Sequence, residues 1–537
     1  MRFRLSTAQW LWIIIGIAFA LRLLGLGQQE ILGDESGDAF RAIGYIDYLG
    51  TSEQTTPIDW YRDESALPWW TKLSFHDIPP LAIIFQHISS LIFGFSIFAV
   101  RFPAVMLGTL ATLLVFWIAR RLFNEKVALW SAGWWAVSGA MVWISRTAIL
   151  EPYLIFFILL NLHAFLLFVE RPRYWWWFGI TLGAIGLTKY TGVIVVPIYI
   201  SYLLLFQRSL FRNWRLYAAL IMAAIVLSPV IIYNYYMYKA TGHFDLQIAY
   251  LLGQDTPEWR GLLGKAQSPF REIYINASAA WGISAIMFLI LGMGILWRHW
   301  RVRRESVALI GAYLFWTTML LVVIGSAQRF LALYGPGMVI IFGFVSAYLW
   351  ERKNLKIIVI AWLIAESAFL TNKIFIAYPD FGVAALDHYF EEEFHGIESG
   401  VTPEANHPHL NAMVQKFSDK KMPQRPRALI MIVYNDNIAL PTLEWVFYRR
   451  FFYQSIPTMF IENFQRTVAT QGIDYLKPFT IYFVQSTENT LRNQFKIDKT
   501  IGQEFEQWLR QRGFVPVKEI YGQENKLMFT IYKFTLR

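Results

Sequence analysis

Long apolar runs recur through the first 376 residues, and they constrain the fold more than any other feature of the sequence. Most are close to the ~20 residues that a helix needs to cross a bilayer. The runs are residues 10–26, 79–100, 102–119, 127–144, 152–169, 216–236, 273–297, 307–325, 333–350 and 355–376. A further stretch, residues 174–206, is too long for one span and predicts two short spans with a break at 188–192. The pattern therefore predicts a polytopic α-helical membrane protein.

Composition and charge narrow the class of protein further. Of 537 residues, 56% are hydrophobic and only 16% are charged, which excludes a single soluble core, a disordered chain and a fibrous repeat. The absence of cysteine excludes a disulfide scaffold, thiolate catalysis and Cys-ligated zinc. Residues 377–537 hold 18 basic and 18 acidic residues, so the net charge of +10 lies wholly in residues 1–376. The charge follows the apolar region and does not indicate a nucleic-acid partner.

The positions of lysine and arginine predict the topology, because short cytoplasmic loops are enriched in both. Six basic clusters separate the runs: Arg2/Arg4, Arg120/Arg121/Lys126, Arg171/Arg173, Arg208/Arg212/Arg215, Arg298/Arg301/Arg303/Arg304 and Arg352/Lys353/Lys356. All six share one side only if residues 79–100 do not cross, so this segment is expected to lie along the outer interface or to dip in and return. The arrangement predicts a transmembrane domain of residues 1–376 with about 11 helices and a cytoplasmic N-terminus.

Residues 377–537 have the pattern of a small soluble domain. Short β-like runs at residues 428–434, 480–485, 514–520 and 527–534 accompany a helical stretch near residues 501–512. The sequence therefore predicts a C-terminal soluble α/β domain, which the topology places on the extracytoplasmic side. Acceptor recognition and packing over a site are both open as its role.

The first external loop, residues 27–101, is strongly acidic. From Glu30 to Asp77 it holds ten acidic residues against three basic ones, a local charge of −7. Its sharpest motif is Leu32-Gly33-Asp34-Glu35-Ser36-Gly37-Asp38, directly after the first span. Adjacent carboxylates can simply complement the dipole of a helix that starts there. They can also deprotonate a hydroxyl, and a position at the outer membrane surface suits a lipid headgroup.

Later charged residues form a second group of candidates. His76 and Asp77 precede Pro79 and Pro80, so they either start the next helix or face the same site. Glu151 is solitary between apolar spans, where an unpaired carboxylate is costly.

Cations on the predicted outer side complete this group. Arg146 is an obvious ion-pair partner for Glu151. Lys189 and Arg329 run against the positive-inside trend. They suit a lipid-linked phosphate, although snorkelling to ordinary lipid phosphates is the simpler alternative.

Three other features have weaker interpretations. Glu366 lies mid-way along the last predicted span, and the sequence identifies no partner for it. His407 and His409 invite a metal interpretation, but an exposed loop is the simpler one. The polar loop of residues 239–272 is predicted to be external and could close over a substrate as a lid.

Together these motifs resemble those of GT-C membrane glycosyltransferases, close to the family 39 group of protein O-mannosyltransferases and aminoarabinose transferases. The matching segments are Asp34-Glu35 and residues 77–81, 99–104, 119–123, 145–152 and 186–189. The resemblance covers roughly the first 200 residues and continues as a pattern of hydrophobic spans. Two positions differ from the family: Glu151 replaces the more usual Asp, and Ile78 stands where many relatives have Lys.

The resemblance implies transfer of a sugar from a polyprenyl-phosphate donor to an acceptor on the outer face, with inversion. Asp34 would be the catalytic base, with Glu35 and Glu151 at the family's other acidic positions. The expected donor-phosphate contacts are Lys189, Arg329 and Arg146, and the expected supporting residues are His76, Asp77 and Asp38. The acceptor is left open between a protein hydroxyl, a lipid and a glycan.

Two other classes of function stay open at this point. A multi-span transporter or flippase of a lipid-linked or anionic substrate would have ionisable residues deep in several spans and paired broken helices. A non-catalytic scaffold would leave Asp34 and Glu35 without a purpose. The carboxylates could hold a divalent cation, but nothing in the sequence demands one. The expected location is the plasma (inner) membrane of a bacterium.

Overall fold

The protein divides by its internal contacts into two units. The computed structural model describes residues 5–31, 33–47, 67–254, 269–405, 408–418, 426–435, 437–490 and 501–536. The helical unit comprises Met1–Leu26 and Trp69–Tyr378, and the mixed unit comprises Gly27–Pro68 and Pro379–Arg537. The sequence placed all of residues 27–101 in the membrane domain, whereas the contacts assign residues 27–68 to the unit that the C-terminal residues form.

Helices make up almost all of the described part of the helical unit. They are Thr7–Leu23, Leu81–Phe93, Ile97–Leu122, Glu125–Val137, Gly139–Ile144, Glu151–Glu170, Trp175–Thr188, Val195–Phe206, Trp214–Val226, Ser228–Thr241, Leu246–Leu251, Pro269–Trp281, Ile283–Arg298, Trp300–Ile324, Gln328–Leu331, Gly335–Trp350 and Lys356–Thr371. Residues 174–206 form two helices on either side of Lys189, as the break in that apolar stretch predicts.

Five segments are long and apolar enough to cross a membrane by themselves. They are Ile97–Leu122, Glu151–Glu170, Trp300–Ile324, Gln328–Trp350 and Lys353–Ile376. If each of two bent helix pairs counts as one span, the described residues contain up to seven. A total of 11 spans therefore stays a prediction. The helix Leu81–Phe93 has 13 residues, fewer than a bilayer requires, and that this segment does not cross stays a prediction.

Three of the predicted spans are broken helices. The run at residues 127–144 is interrupted at Ser138, and the run at 216–236 bends by 61°. The run at 273–297 bends by 111° at Gly282, whose φ of 82° is one that other residues rarely adopt. Apolar residues lie on both sides of each break, so hydrophobicity alone does not reveal it.

Polar contacts tie together the three helices that follow Glu151. Asn161, on the helix Glu151–Glu170, donates to Thr181 Oγ1 at 2.8 Å and accepts from the Tyr199 hydroxyl at 2.8 Å. Phe165 stacks on Tyr199 with ring centroids 4.0 Å apart. Because these polar atoms are buried, their hydrogen bonds fix the relative positions of the helices. The segment between Thr181 and Tyr199, which contains Lys189, is thereby held against the helix that Glu151 starts.

The mixed unit contains a sheet at its C-terminal end. In chain order the strands are β1 (Glu398–Ser399), β2 (Arg427–Ala428), β3 (Ile430–Tyr434), β4 (Thr458–Phe460), β5 (Thr480–Ser486), β6 (Lys518–Tyr521) and β7 (Leu527–Thr535). A parallel pair joins β1 to β2, and the five-stranded sheet has the order β4-β3-β5-β7-β6. Strand β3 is parallel to β4 and β5, whereas β7 is antiparallel to β5 and β6.

Helices accompany this sheet. The main ones in the mixed unit are Asp34–Gly44, Val383–Glu393, Pro408–Ser418, Arg449–Gln454, Ile461–Gln471 and Ile501–Gln511. The four predicted β-runs coincide with strands or overlap them, and the predicted helix near residue 501 is present. Strand β3 is buried at every position, as a continuous apolar run inside a parallel sheet predicts.

Candidate active site

The acidic motif of the first loop starts a helix of the mixed unit, called here the acidic helix (Asp34–Gly44). Asp34 and Glu35 occupy its first turn, where carboxylates complement the helix dipole. Asp34 is exposed, whereas Glu35 and Asp38 are buried. The four-residue spacing puts Asp34 and Asp38 on one face of the helix. The acidic helix therefore presents an exposed carboxylate with a second one a turn away. Leu32 of the motif lies outside the described residues.

A buried group of charges lies in the helical unit. The charge cluster, defined as Glu151, Lys189, Arg329 and Phe330, brings together three of the residues that the sequence indicated. Glu151 is 1% exposed, and its Oε1 atom lies 2.6 Å from Lys189 Nζ and 3.7 Å from Arg329 Nε. The ring of Phe330 lies under both cations, 5.0 Å from Lys189 Nζ and 4.8 Å from Arg329 Cζ.

Helix ends supply every charged member of the charge cluster. Glu151 is the first residue of the helix Glu151–Glu170 and is followed by Pro152. Lys189 is the extended residue that ends the helix Trp175–Thr188, and Arg329 lies in the short helix Gln328–Leu331. Polar side chains collect at such ends because the backbone there departs from the helix and opens space. The helix ends appear in the sequence as interruptions of the apolar runs. The charged residues of the charge cluster could therefore be recognised from the sequence.

Arg146 occupies a different environment from the one that the sequence suggested. Its Nη1 atom lies 3.1 Å from the carbonyl oxygens of Leu21 and Arg22 and 2.6 Å from that of Leu24. Arg146 therefore caps the last turn of the first helix, where carbonyl groups lack helical partners. Among the described residues Glu151 pairs with Lys189 and Arg329 instead of Arg146, so the alternative of a structural Glu151–Arg146 ion pair is wrong. A contact of Arg146 with the donor phosphate stays a prediction.

His76 and Asp77 form a turn that a later loop of the helical unit holds in place. His76 Nδ1 lies 3.8 Å from Asp77 Oδ1. The carbonyl of His76 accepts from the Leu246 N–H at 2.9 Å, and the carbonyl of Asp77 accepts from Gln247 Nε2 at 2.6 Å. The backbone of both candidates is thus held in place, and the supporting roles of their side chains stay a prediction.

Asp245 and Tyr190 are site-forming residues that the sequence analysis missed. The fully buried Asp245 carboxylate accepts from the Tyr190 hydroxyl and from the N–H groups of Gln247 (3.1 Å) and Ile248 (3.2 Å). Burial raises the pKa of Asp245 to about 6. Asp245 therefore caps the helix Leu246–Leu251 and anchors the residue next to Lys189. In the sequence it is one more polar residue in a long loop, and only the adjacency of Tyr190 to Lys189 hinted at this role.

The deep acid Glu366 has a structural explanation. Its Oε1 atom accepts from the N–H of Gly139 at 2.8 Å. Gly139 starts a new helix after the break at Ser138, so its N–H has no helical partner. Glu366 therefore caps a broken helix within the helical unit.

Other candidates lie outside the described residues. They are His407 and residues 255–268, which make up much of the predicted lid, and the side chain of His409 is likewise not described.

Comparison with known proteins finds sequence similarity over part of the chain. Residues 77–233 match the family model of dolichyl-phosphate-mannose-protein mannosyltransferase, a segment that includes Asp77, Arg146, Glu151 and Lys189. The undecaprenyl phosphate-alpha-4-amino-4-deoxy-L-arabinose arabinosyl transferase of Erwinia tasmaniensis is 24% identical over 265 residues. That match covers 43% of this chain and 48% of the relative, so it spans about half of the curated relative's length.

Two solved structures share the fold over nearly the whole chain. ArnT from Cupriavidus metallidurans, crystallised with undecaprenyl phosphate, superposes with a TM-score of 0.58 at 11% identity and covers 98% of both chains. The Archaeoglobus fulgidus oligosaccharyltransferase tethered to an acceptor peptide has a TM-score of 0.51 at 13% identity, covering 97% of this chain and 74% of that one. The chain therefore has the fold of a GT-C type membrane protein.

Within that class the chain is similar to the protein mannosyltransferase and aminoarabinose transferase group. The resemblance that the sequence motifs indicated is thereby confirmed.

Proposed function

We propose that the chain is an integral membrane glycosyltransferase that moves one sugar from a polyprenyl-phosphate donor to an acceptor on the extracytoplasmic face, with inversion. The names of its relatives support this class of donor, since they include dolichyl-phosphate mannose and undecaprenyl-phosphate aminoarabinose. The acceptor is a hydroxyl of a protein, lipid or glycan. The observation that carries the proposal is the charge cluster.

The two cations of the charge cluster suit a lipid-linked phosphate. Buried charges are expensive unless they are paired or used, and here two cations converge on a single carboxylate. The phosphodiester of a polyprenyl-phosphate sugar is an anion, and Lys189 and Arg329 are cations of the kind that bind one. When the sugar leaves, the phosphate gains a second charge. The Lys189 ammonium and the forked Arg329 guanidinium are donors that stabilise such a developing charge.

The proposed reaction is a single displacement at the anomeric carbon. The acceptor oxygen forms a bond to this carbon while the bond to the phosphate oxygen breaks, and the leaving polyprenyl phosphate takes the electron pair. The acceptor's proton passes to the carboxylate of Asp34, which is exposed at the start of the acidic helix. One displacement inverts the configuration, whereas retention requires a second carboxylate as nucleophile.

The other candidates have secondary roles in this proposal. Glu35 is a second carboxylic acid in the first turn of the acidic helix, and Asp38 supports the site from the next turn. His76 and Asp77 line the acceptor side, and Arg146 adds a phosphate contact. Carboxylates of this kind are also the ligands that divalent cations prefer, although the proposed displacement proceeds without one.

The proposed topology follows the distribution of basic residues. It has 11 spans within residues 1–376, a cytoplasmic N-terminus and an extracytoplasmic domain of residues 377–537. The proposed location is the inner membrane of a bacterium. A transporter or flippase is disfavoured because the relatives reported above are transferases and because Glu366, the deep acid, is used as a helix cap.

The substitution Asp34→Asn tests the proposed base. Release of undecaprenyl phosphate from an undecaprenyl-phosphate sugar, followed by mass spectrometry in membranes that contain the full-length protein, reports transfer without requiring a known acceptor. A positioned general base contributes roughly 10²- to 10⁴-fold, so Asn should lower the rate by at least ~10².

A matched control separates this effect from general damage. Asp474 is an exposed carboxylate of the mixed unit that pairs with exposed Lys477. Asp474→Asn should leave the release rate unchanged. A wild-type rate in Asp34→Asn would show that Asp34 is not the base.

A further inference from the structure

The mixed unit joins two parts of the chain that are far apart in sequence. One part, Gly27–Pro68, contains the acidic helix, and the other is Pro379–Arg537. Three buried hydrogen-bonded contacts connect them. On the side of the acidic helix they are made by Glu30 just before the helix, by Ser36 in its first turn and by Phe40 towards its end. The C-terminal residues therefore hold the helix that carries Asp34 and Glu35.

The first contact anchors the chain just before the acidic motif. The two carboxylate oxygens of Glu30 accept from the N–H groups of Val383 (3.1 Å) and Ala384 (3.2 Å). These residues start the helix Val383–Glu393, whose first N–H groups lack helical partners. Burial and the nearby Asp380 carboxyl raise the pKa of Glu30 to about 8, although the two N–H donors oppose the rise. Glu30 thus caps a C-terminal helix and fixes the entry to the motif.

The third contact fixes the far end of the acidic helix. The Tyr453 hydroxyl donates to the carbonyl oxygen of Phe40 at 2.9 Å. Gly44 lies so close to Tyr453 that a Cβ atom on it would be 2.7 Å from the tyrosine ring. Phe40 also packs edge-on against Phe452 with ring centroids 5.8 Å apart. The end of the helix is therefore set by side chains of the C-terminal residues.

The second contact, made by Glu444, lies nearest to the proposed base. Glu444 is 3% exposed, and its Oε2 atom accepts from Ser36 Oγ at 2.7 Å. Ser36 Oγ also lies 2.8 Å from the carbonyl oxygen of Gly33, the residue directly before Asp34. When Glu444 is ionised, it accepts a hydrogen bond from the Ser36 hydroxyl. When Glu444 is protonated, it donates a hydrogen bond to Ser36 Oγ, and the Ser36 hydroxyl donates to the carbonyl oxygen of Gly33. In both states the carboxyl stays bound to the first turn of the helix.

We propose that the C-terminal residues act as the holder of the acidic helix and that Glu444 is a positioning residue for Asp34 and Glu35. This inference rests on the proposed function, because it assigns Glu444 an effect on catalysis by those carboxylates. The spacing supports it: Ser36 is two residues from Asp34, and no turn of helix separates them. A misplacement of about 1 Å in a reacting group costs on the order of 10² in rate.

The experiment compares three variants in the full-length protein. Glu444→Ala removes the partner of Ser36, Glu444→Gln retains an amide that accepts from or donates to the same hydroxyl, and Ser36→Ala removes the hydroxyl. We measure kcat and KM for an undecaprenyl-phosphate sugar, together with hydrogen exchange of the amides in residues 33–44. Glu392→Ala, an exposed position on the helix Val383–Glu393, is the matched control.

The expected results distinguish positioning from simple stability. Glu444→Ala should lower kcat by about 10- to 100-fold with the donor KM unchanged, and exchange in residues 33–44 should rise. Glu444→Gln should stay within about 3-fold of wild type, and Glu392→Ala should equal it. Ser36→Ala should lower kcat by several-fold, which tests the proposal even if Glu444→Ala fails to fold.

Two outcomes would overturn the proposal. One is wild-type kcat in Ser36→Ala and in folded Glu444→Ala, and the other is unchanged exchange of residues 33–44 in both. The exchange measurement needs no substrate. A wild-type protein that releases no polyprenyl phosphate would therefore refute the proposed function, while the exchange data would still decide whether Glu444 holds the helix.

Discussion

Two buried glutamates, one in each unit, have opposite kinds of partner. Glu151 of the helical unit is 1% exposed and faces the ammonium of Lys189 and the guanidinium of Arg329. Glu444 of the mixed unit is 3% exposed; its hydrogen-bond partner is the hydroxyl of Ser36, and the Arg41 guanidinium acts on it only through its charge. A buried carboxylate beside cations is retained for its charge, whereas one beside a hydroxyl is retained for its hydrogen bond. The same substitution, Glu to Gln, should separate the two cases.

The largest effect is expected for Glu151→Gln. The substitution leaves the Lys189 ammonium buried without its carboxylate, and breaking a buried ion pair costs about 3–5 kcal/mol. If half of that cost, about 1.5–2.5 kcal/mol, is expressed at the proposed phosphate site, kcat/KM for an undecaprenyl-phosphate sugar falls by roughly 10- to 70-fold. Glu444→Gln should change it by no more than about 3-fold.

Glu151→Asp is the matched control for this prediction. It retains the charge, and Asp is the more usual residue of the resembled family at this position, so most activity should remain. Equal rates for Glu151→Gln and Glu444→Gln would remove the distinction between the two carboxylates.

The second prediction concerns pH and the acids of the mixed unit. Burial raises the pKa of Glu444 to about 7 and that of Glu30 to about 8, against 4.5 for an ordinary glutamate. A raised folded-state pKa means that these groups contribute stability below pH ~4.5 and that the contribution is lost as the pH rises through 7 and 8. For Glu444 the loss amounts to about 3 kcal/mol.

Urea unfolding of the full-length protein, monitored by the protease resistance of the mixed unit, measures this loss. The midpoint urea concentration is determined between pH 5 and pH 8.5. The midpoint should fall across this range, and Glu444→Gln should flatten the curve. Arg449 and Arg450 outweigh burial to lower the pKa of Asp387, so its contribution changes only at more acidic pH. A midpoint that rises with pH would show that Glu444 is held as an anion.

Much of the fold was predictable from the sequence because it depends on local pattern. Hydrophobic runs predicted the helical unit, and short β-like runs predicted the strands of the sheet; a separate helical stretch predicted the helix Ile501–Gln511. The break at Lys189 was visible because polar residues interrupt the run there. The bends at Ser138 and Gly282 were not, since small residues among apolar ones leave the hydrophobicity unchanged.

Partners across long sequence separations were the part that could not be predicted. The ion pair between Glu151 and Lys189 spans 38 residues, and the contact between Ser36 and Glu444 spans 408. Local pattern marked Glu151 and Lys189 as candidates and did not mark Ser36 or Glu444, and in neither case did it identify the partner. The same limit applies to residues 27–68, which precede most of the helical unit in sequence and yet group with the C-terminal residues.

The smallest predicted effect, for Tyr453→Phe, tests which contact with the C-terminal residues positions the acidic helix. The substitution removes one buried hydrogen bond to the Phe40 carbonyl. Because Phe40 remains part of the acidic helix, the free energy of unfolding should fall by only about 1 kcal/mol. Because Tyr453 contacts the end of the helix remote from Asp34, kcat should stay within about 2-fold of wild type. Tyr521→Phe, which removes an exposed contact to Glu519, is the control. A 10-fold loss of kcat in Tyr453→Phe, measured beside Glu444→Ala, would move the positioning role from the first turn of the acidic helix to its last.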